Sequence, residues 1–264
     1  MHFYKFDGAG NDFVLLDIRE NDPQLTTEQI ASLCHRRFGI GADGLMTLGA
    51  KEGYDFEMRY YNSDGRLGSM CGNGGRCITA FAHVLGIKPT NGTAYHFVGF
   101  DGPHDAEILL WNPEERFGMV RLGMKDIPND QIQRIRDEEN GADGWFLDTG
   151  SPHFVQRVQE LAHFDVVNEG RRIRNLSQHF PKGTNVDFIE DADNGVLLVR
   201  TYERGVEDET WACGTGVTAC AIITGNGRIK TRGGDFKVTF DVGDKVFEQV
   251  KLIGPVAFNF EGEV

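Results

Sequence analysis

The chain has 264 residues, 40% of them hydrophobic and 25% charged, enough for one large or two ordinary soluble domains with a sizeable core. Its net charge of -13 argues against general binding to nucleic acid or anionic membranes, both of which require basic surface. No long apolar run or basic-then-apolar leader is present, five cysteines do not make a disulfide framework, and no C-x2-C or H-x3-H pair suggests zinc. The default expectation is a cytoplasmic protein with reduced thiols and no metal.

In chain order, Val14–Ile18 reads as a strand and TTEQIASLCHRRF (26–38) as a helix capped by Thr26. Gly39-Ile40-Gly41-Ala42-Asp43-Gly44 matches G-x-G-x-x-G, with Asp64 twenty positions on. A dinucleotide fingerprint needs strand, glycines, then helix; these glycines follow a helix and precede the apolar LMTL. Nucleotide binding is therefore not expected. Phe56–Tyr61 reads as a strand, and MCGNGGRC (70–77) leads into an apolar helix over Arg76–Leu85. The turn WNPEER (111–116) is the expected boundary between halves 1–113 and 114–252. Phe154–Val158 and Leu197–Tyr202 read as strands, Thr215–Thr224 as an apolar helix, and the late FKVTF and AFNFEGE as alternating strands.

The halves repeat. FDGAGNDFVLLD (6–17) is echoed by LDTGSPHFVQRV (147–158), with Asp7, Phe13 and Val14 facing Asp148, Phe154 and Val155. Gly41-Ala42-Asp43 faces Asn185-Val186-Asp187, and YNSDGRLGSMCGNGG (61–75) faces YERGVEDETWACGTG (202–216). The offsets are 141, 144 and 142. Each half thus holds a Cys-Gly-x-Gly turn before an apolar helix, and such a helix is buried most simply inside a curved sheet. A thiol at a helix N-terminus ionises more easily than a free one. With the halves packed face to face, Cys71 and Cys213 would approach a substrate from opposite sides, as stereoinversion by proton exchange requires. Cys34, Cys77 and Cys220 fall within helical patterns and read as packing residues.

At these residues the sequence resembles the diaminopimelate epimerase family, racemases that work without pyridoxal phosphate. FYKFDGAGNDF, CGNGGRC, GTNVDF, YERGVEDETWACGTG and GPVAFNFEGE carry the likeness over nearly the whole chain. It implies an α/β fold of two pseudo-symmetric halves, each an antiparallel barrel-like sheet around a central helix. The last strand, 253–264, would return to the first half. It also implies cofactor-free interconversion of LL- and meso-diaminopimelate in bacterial lysine and peptidoglycan-precursor synthesis, by a homodimer. Cys71 and Cys213 match the catalytic thiols, and His153 and Glu203 the pair that tunes them. Asn11, Asn62, Gly72, Asn73, Asn185, Glu203, Arg204, Gly214 and Thr215 match substrate-binding positions.

Ordinary roles stand beside several of these. Arg204 could pair with a substrate carboxylate or with Glu203 or Glu207. Asn11, Asn62 and Asn185 are also common turn residues, and His153 could be a satisfied local histidine. Two positions depart from the family pattern. Gly44 stands where some members carry a substrate-contacting glutamine, and Ser151 where an asparagine is common. Ser151 is kept as a contact and Gly44 is not. Two other functions stay open: a two-thiol racemase of another amino acid, and a non-catalytic protein that captures anions at two helix N-termini.

Overall fold

The computed structural model describes every residue except Ser69 and Met70, so those two positions of the 61–75 segment, the second being the first of MCGNGGRC, lie outside it. The chain forms two compact units, Met1–Gly123 with Ile253–Val264, and Met124–Leu252. The first contains β1 (His2–Gly8), β2 (Asn11–Asp17), α1 (Thr27–Cys34), β3 (Gly44–Gly49), β4 (Phe56–Asn62), α2 (Gly72–Val84), β5 (Ala94–Gly99), β6 (Gly102–Asn112) and β7 (Phe117–Gly123). The second contains β8 (Ile127–Pro128), β9 (Gln133–Asp137), β10 (Ala142–Asp148), β11 (Pro152–Arg157), α3 (Val166–Arg174), β12 (Asn185–Asp191), β13 (Leu197–Glu203), β14 (Asp208–Thr210), α4 (Gly214–Thr224), β15 (Arg228–Lys230) and β16 (Asp235–Val242). Strand β17 (Val246–Glu263) begins in the second unit and ends in the first. WNPEER is the hairpin turn between β6 and β7, and the units divide after Gly123.

In the first unit each strand from β1 to β7 pairs with the next, β7 pairs with β17, and β17 pairs with β1. The ring closes into a barrel, which leaves no free edge. Its pairs are antiparallel except β2–β3 and β4–β5, which are parallel. A parallel neighbour needs a long crossover, and α1 and α2 are those crossovers. The second unit repeats the plan: β11–β12 and β13–β15 are parallel, spanned by α3 and α4.

One helix of each pair lies inside. Helix α2 touches β1, β2, β3, β6 and β7, and eleven of its thirteen residues are buried. Helix α4 touches β10, β11, β12, β13, β15 and β16. Glycine and alanine along both helices allow backbones and strands to approach. The other helix of each pair lies outside. Ile30 and Cys34 of α1 join Val14, Leu16 and Leu45 in one cluster, and Val166 and Ile173 of α3 join Phe154, Val186, Phe188 and Tyr202 in another. Strands covered on both faces read as continuous apolar runs. Inward positions then alternate with these: Phe13 and Leu15 on β2, His153 and Val155 on β11, Asn185 and Asp187 on β12.

Helix α1 stops at Cys34, short of the expected Phe38, because the chain folds back on it. A Cβ at Gly39 would lie 2.0 Å from the Ser32 carbonyl oxygen, and Gly41 has φ +81°. The 39–44 glycines are therefore a turn from helix into strand. Helix α3, capped by the Asp165 side chain at Asn168 N (3.2 Å), is an addition to the elements expected from the sequence.

Strand pairing also corrects the echo by one residue. Phe6 pairs with Phe13, and Leu147 with His153, so His153 rather than Phe154 occupies the place of Phe13. The first turn, Ala9-Gly10, has two positive-φ residues; the second has Gly150 alone. Asn11 and Ser151 accordingly match, each following a turn glycine. Leu45 pairs with Tyr61 and Val186 with Tyr202, so Gly44 matches Asn185 and Met46 matches Asp187.

The tight contact of α3 with its sheet is testable. A Cβ on Gly170 would lie 2.3 Å from Tyr202 Cβ. Gly170→Ala should destabilise the protein by about 1–3 kcal/mol through overpacking, although alanine is the better helix former; urea unfolding midpoints will measure it.

Candidate active site

In the first unit, extended backbone at Cys71 (φ −110°, ψ 156°) turns into α2, and the thiol itself caps the helix. Its Sγ accepts the Gly74 N–H at 3.2 Å, as an N-cap oxygen would. Donated N–H groups and the helix dipole favour negative charge here. Asn73, nearly fully buried, donates through Nδ2 to Asn11 Oδ1 at 3.2 Å, and Asn11 Nδ2 donates to Asp43 Oδ2 at 2.7 Å. Asp43 and Asp12 share Arg36, at 2.5 and 2.7 Å, and Lys5 binds Asp12. Burial pushes the Asp12 carboxyl up, yet Arg36 and Lys5 bring it down to about 2. The expected residues Cys71, Gly72, Asn73 and Asn11 thus share one hydrogen-bonded corner. Asn62 is exposed at the end of β4, paired in register with Gly44.

The second unit places Cys213 at the same point of α4 (φ −115°, ψ 113°), but its Sγ makes no cap to the backbone and lies 3.3 Å from Thr215 Oγ1 instead. Thr215 Oγ1 is 2.9 Å from His153 Nε2, and Ser151 Oγ is 3.0 Å from both. His153 Nδ1 faces Asp187 Oδ2 at 2.7 Å, with both side chains fully buried. Thr201 donates to the other Asp187 oxygen at 2.6 Å. Burial alone would lower the imidazole pKa, but the charge and hydrogen bond of Asp187, with a smaller share from Cys213, raise it to about 10. His153 is therefore an imidazolium at neutral pH, donating at both nitrogens. Asn185 Nδ2 donates to Ser151 Oγ (3.3 Å) and the Pro152 carbonyl (2.9 Å), and its Oδ1 accepts the Arg204 N–H at 2.8 Å. Gly214 is buried in the first turn of α4. Glu203 is half-buried at the end of β13, and Glu207 pairs with Arg174 (2.8 Å) rather than with Arg204.

The remaining cysteines, Cys34, Cys77 and Cys220, are buried. Burial pushes the Cys77 and Cys220 thiols well above the usual range, and the Cys34 thiol to about 11. Asp187, Thr201 and Arg76 were not anticipated as site residues. Asp187 had a signal in GTNVDF, since an acidic residue on an apolar strand needs a buried partner. Gly44 has no room to be otherwise: a Cβ there would lie 2.6 Å from Tyr60 Cε2.

His153 holds its proton more tightly folded than unfolded, which sets the sign of a pH effect. The stabilisation is complete below about pH 6.5, the unfolded value, and is lost as pH rises towards about 10. Thermal midpoints of the native chain should fall across that window more steeply than those of His153→Gln; equal slopes would refute the imidazolium.

A sequence profile described as diaminopimelate epimerase matches residues 3–99 and 145–256. The chain is 42% identical to the diaminopimelate epimerase of Flavobacterium psychrophilum, covering 99% of each sequence. It is 41% identical to that of Chlorobaculum tepidum, covering 97% of this chain and 98% of the relative. Among solved structures it resembles a Bacillus anthracis phenazine biosynthesis protein of the PhzF family, with TM-score 0.71, 15% identity and coverage of 100% and 98%. A hydroxyproline epimerase from Agrobacterium vitis gives 0.66, 14%, and coverage of 99% and 91%. The distant structures establish a shared fold; the match along nearly the full length of closer sequences establishes that this chain belongs to the diaminopimelate epimerase family.

Proposed function

We propose that the protein is an isomerase interconverting LL- and meso-2,6-diaminopimelate in lysine and peptidoglycan-precursor synthesis, without a cofactor. In this reading Cys71 and Cys213 are its two acid–base groups. The observation that carries it is a thiol at the start of the buried helix of each unit, in a chain of this family. One thiolate removes the Cα proton, and the other thiol returns a proton to the opposite face. The charge that grows as the C–H bond breaks spreads into the substrate carboxylate, where the N–H groups and dipoles at the starts of α2 and α4 stabilise it. Gly72, Asn73, Gly214 and Thr215 supply those turns. His153 and Glu203 adjust the thiols, while Asn11, Asn62, Ser151, Asn185, Glu203 and Arg204 hold the substrate's polar groups. The compartment is the cytoplasm, where thiols stay reduced, and the working form is a homodimer.

Two features favour a second reading, a two-thiol racemase of another amino acid. Tyr60 fills the space a side chain at Gly44 would need, and Ser151 reaches less far than asparagine. Incubation in deuterium oxide separates the readings. Deuterium entering Cα of LL-diaminopimelate, together with inversion and without added cofactor, is the expected result. Absence of exchange in reduced, folded protein would refute the first reading, and exchange only into a different amino acid would establish the second. Cys71→Ala and Cys213→Ala should each abolish epimerisation and keep the fold by circular dichroism. Full activity in either would remove the two-thiol mechanism.

A further inference from the structure

The two units repeat in backbone but differ behind their thiols. Strand register sets Phe13, Met46 and Tyr60 of the first unit where the second has His153, Asp187 and Thr201. The helix glycines record the same contrast. A Cβ on Gly74 would meet Met46 Sδ at 3.3 Å and Cys71 Sγ at 3.4 Å, whereas one on the matching Gly216 would meet Asp187 Oδ1 at 2.5 Å and His153 Cε1 at 3.0 Å. The carboxylate–imidazole pair at Cys213 is thus replaced by a thioether and aromatic rings at Cys71.

The first unit has a different charge. Arg76, in the second turn of α2, is fully buried. Its guanidinium donates to the Gly72 carbonyl and Asn73 Oδ1 at 3.0 Å each, and to the Pro255 carbonyl at 3.3 Å. It is thereby locked to the two residues that follow Cys71. The matching position in α4 is Thr218, which bonds only its own helix, at Gly214 O (2.9 Å). Burial lowers the Arg76 pKa to about 10, opposed by Cys77, Cys71 and Asp7, so the cation persists at neutral pH.

We propose that Arg76 and Asp187 are positioning residues that activate the two thiols by different means: a permanent buried cation at Cys71, and a carboxylate-held imidazolium at Cys213. This rests on the reading of both thiols as acid–base groups. Among the described residues, titratable groups facing Arg76 include Asp7 on β1, Cys71 at the cap of α2 and Cys77 within it. Those facing His153 are Asp187 on β12 and Cys213 on α4, with Cys220 of α4 also close to Asp187. Cys71 therefore faces a charge that does not titrate near neutrality. Cys213 faces a charge whose presence depends on Asp187.

Alkylation by iodoacetamide, resolved for each cysteine by peptide mass spectrometry between about pH 6 and pH 9, tests this without turnover. Asp187→Asn should slow Cys213 by about tenfold at neutral pH and leave Cys71 within about twofold. Arg76→Gln should do the reverse, and Arg76→Lys, which keeps the charge, should restore most of the Cys71 rate. Circular dichroism checks each fold. If Arg76→Gln does not fold, the lysine variant decides, because a Cys71 rate depressed as far as about tenfold despite its charge overturns the role of Arg76. In the native protein the two thiols should give different pH–rate curves; coincident curves, or variants that slow both thiols alike, overturn the proposal. The deuterium assay on native protein fails separately: loss of exchange with these alkylation results intact would refute the function and leave the asymmetry standing.

Discussion

Everything in this protein depends on enclosing a helix in a sheet. A helix buried on all sides has no polar face to present, and its first N–H groups cannot turn to water. In α2 the thiol of Cys71 caps one of them, and the glycines let the turn lie close enough for that contact. The start of such a helix carries the positive end of its dipole, which favours negative charge.

The sheet answers the same constraint from outside. Strands pressed between an inner and an outer helix must be apolar on both faces, so an ionisable side chain among them is costly unless paired. His153 and Asp187 meet that condition together, since each is fully buried and each bonds the other. Thr201 saturates the second carboxylate oxygen, and Thr215 and Ser151 take up the far nitrogen. The chain from Asp187 to Cys213 is continuous, and removing an inner member would leave a buried charge without compensation. The first unit satisfies its interior differently, with methionine and aromatic rings and a guanidinium bonded to backbone carbonyls. The two units share a frame and differ in their linings.

Much of this was legible in the residues. The paired Cys-Gly-x-Gly turns, the apolar helices after them and the strands around them carry local signals: a thiol before glycine, apolar helical runs with little charge, β-branched and aromatic runs. The false nucleotide motif was legible too, because element order can be read along a chain. Less legible were α3, where charged residues interrupt a short apolar pattern, and the end of α1, where Gly39 and Gly41 fold the chain back onto the helix.

The sequence by itself determined the family, the two-unit repeat and the cysteine that precedes each buried helix, since those rest on residue type and spacing. Tertiary structure decided the register. One residue fewer in the second β-turn moved the echo by one, and a one-residue slip in a strand exchanges its inner and outer faces. That slip puts His153 where Phe13 would be, and so joins it to Asp187, 34 positions away on a parallel neighbour. It likewise took folding to bury Arg76 against the Pro255 carbonyl, 179 positions away. Both partnerships arise from strand pairing and closure of the chain around the helix, which bring together residues that no local spacing relates.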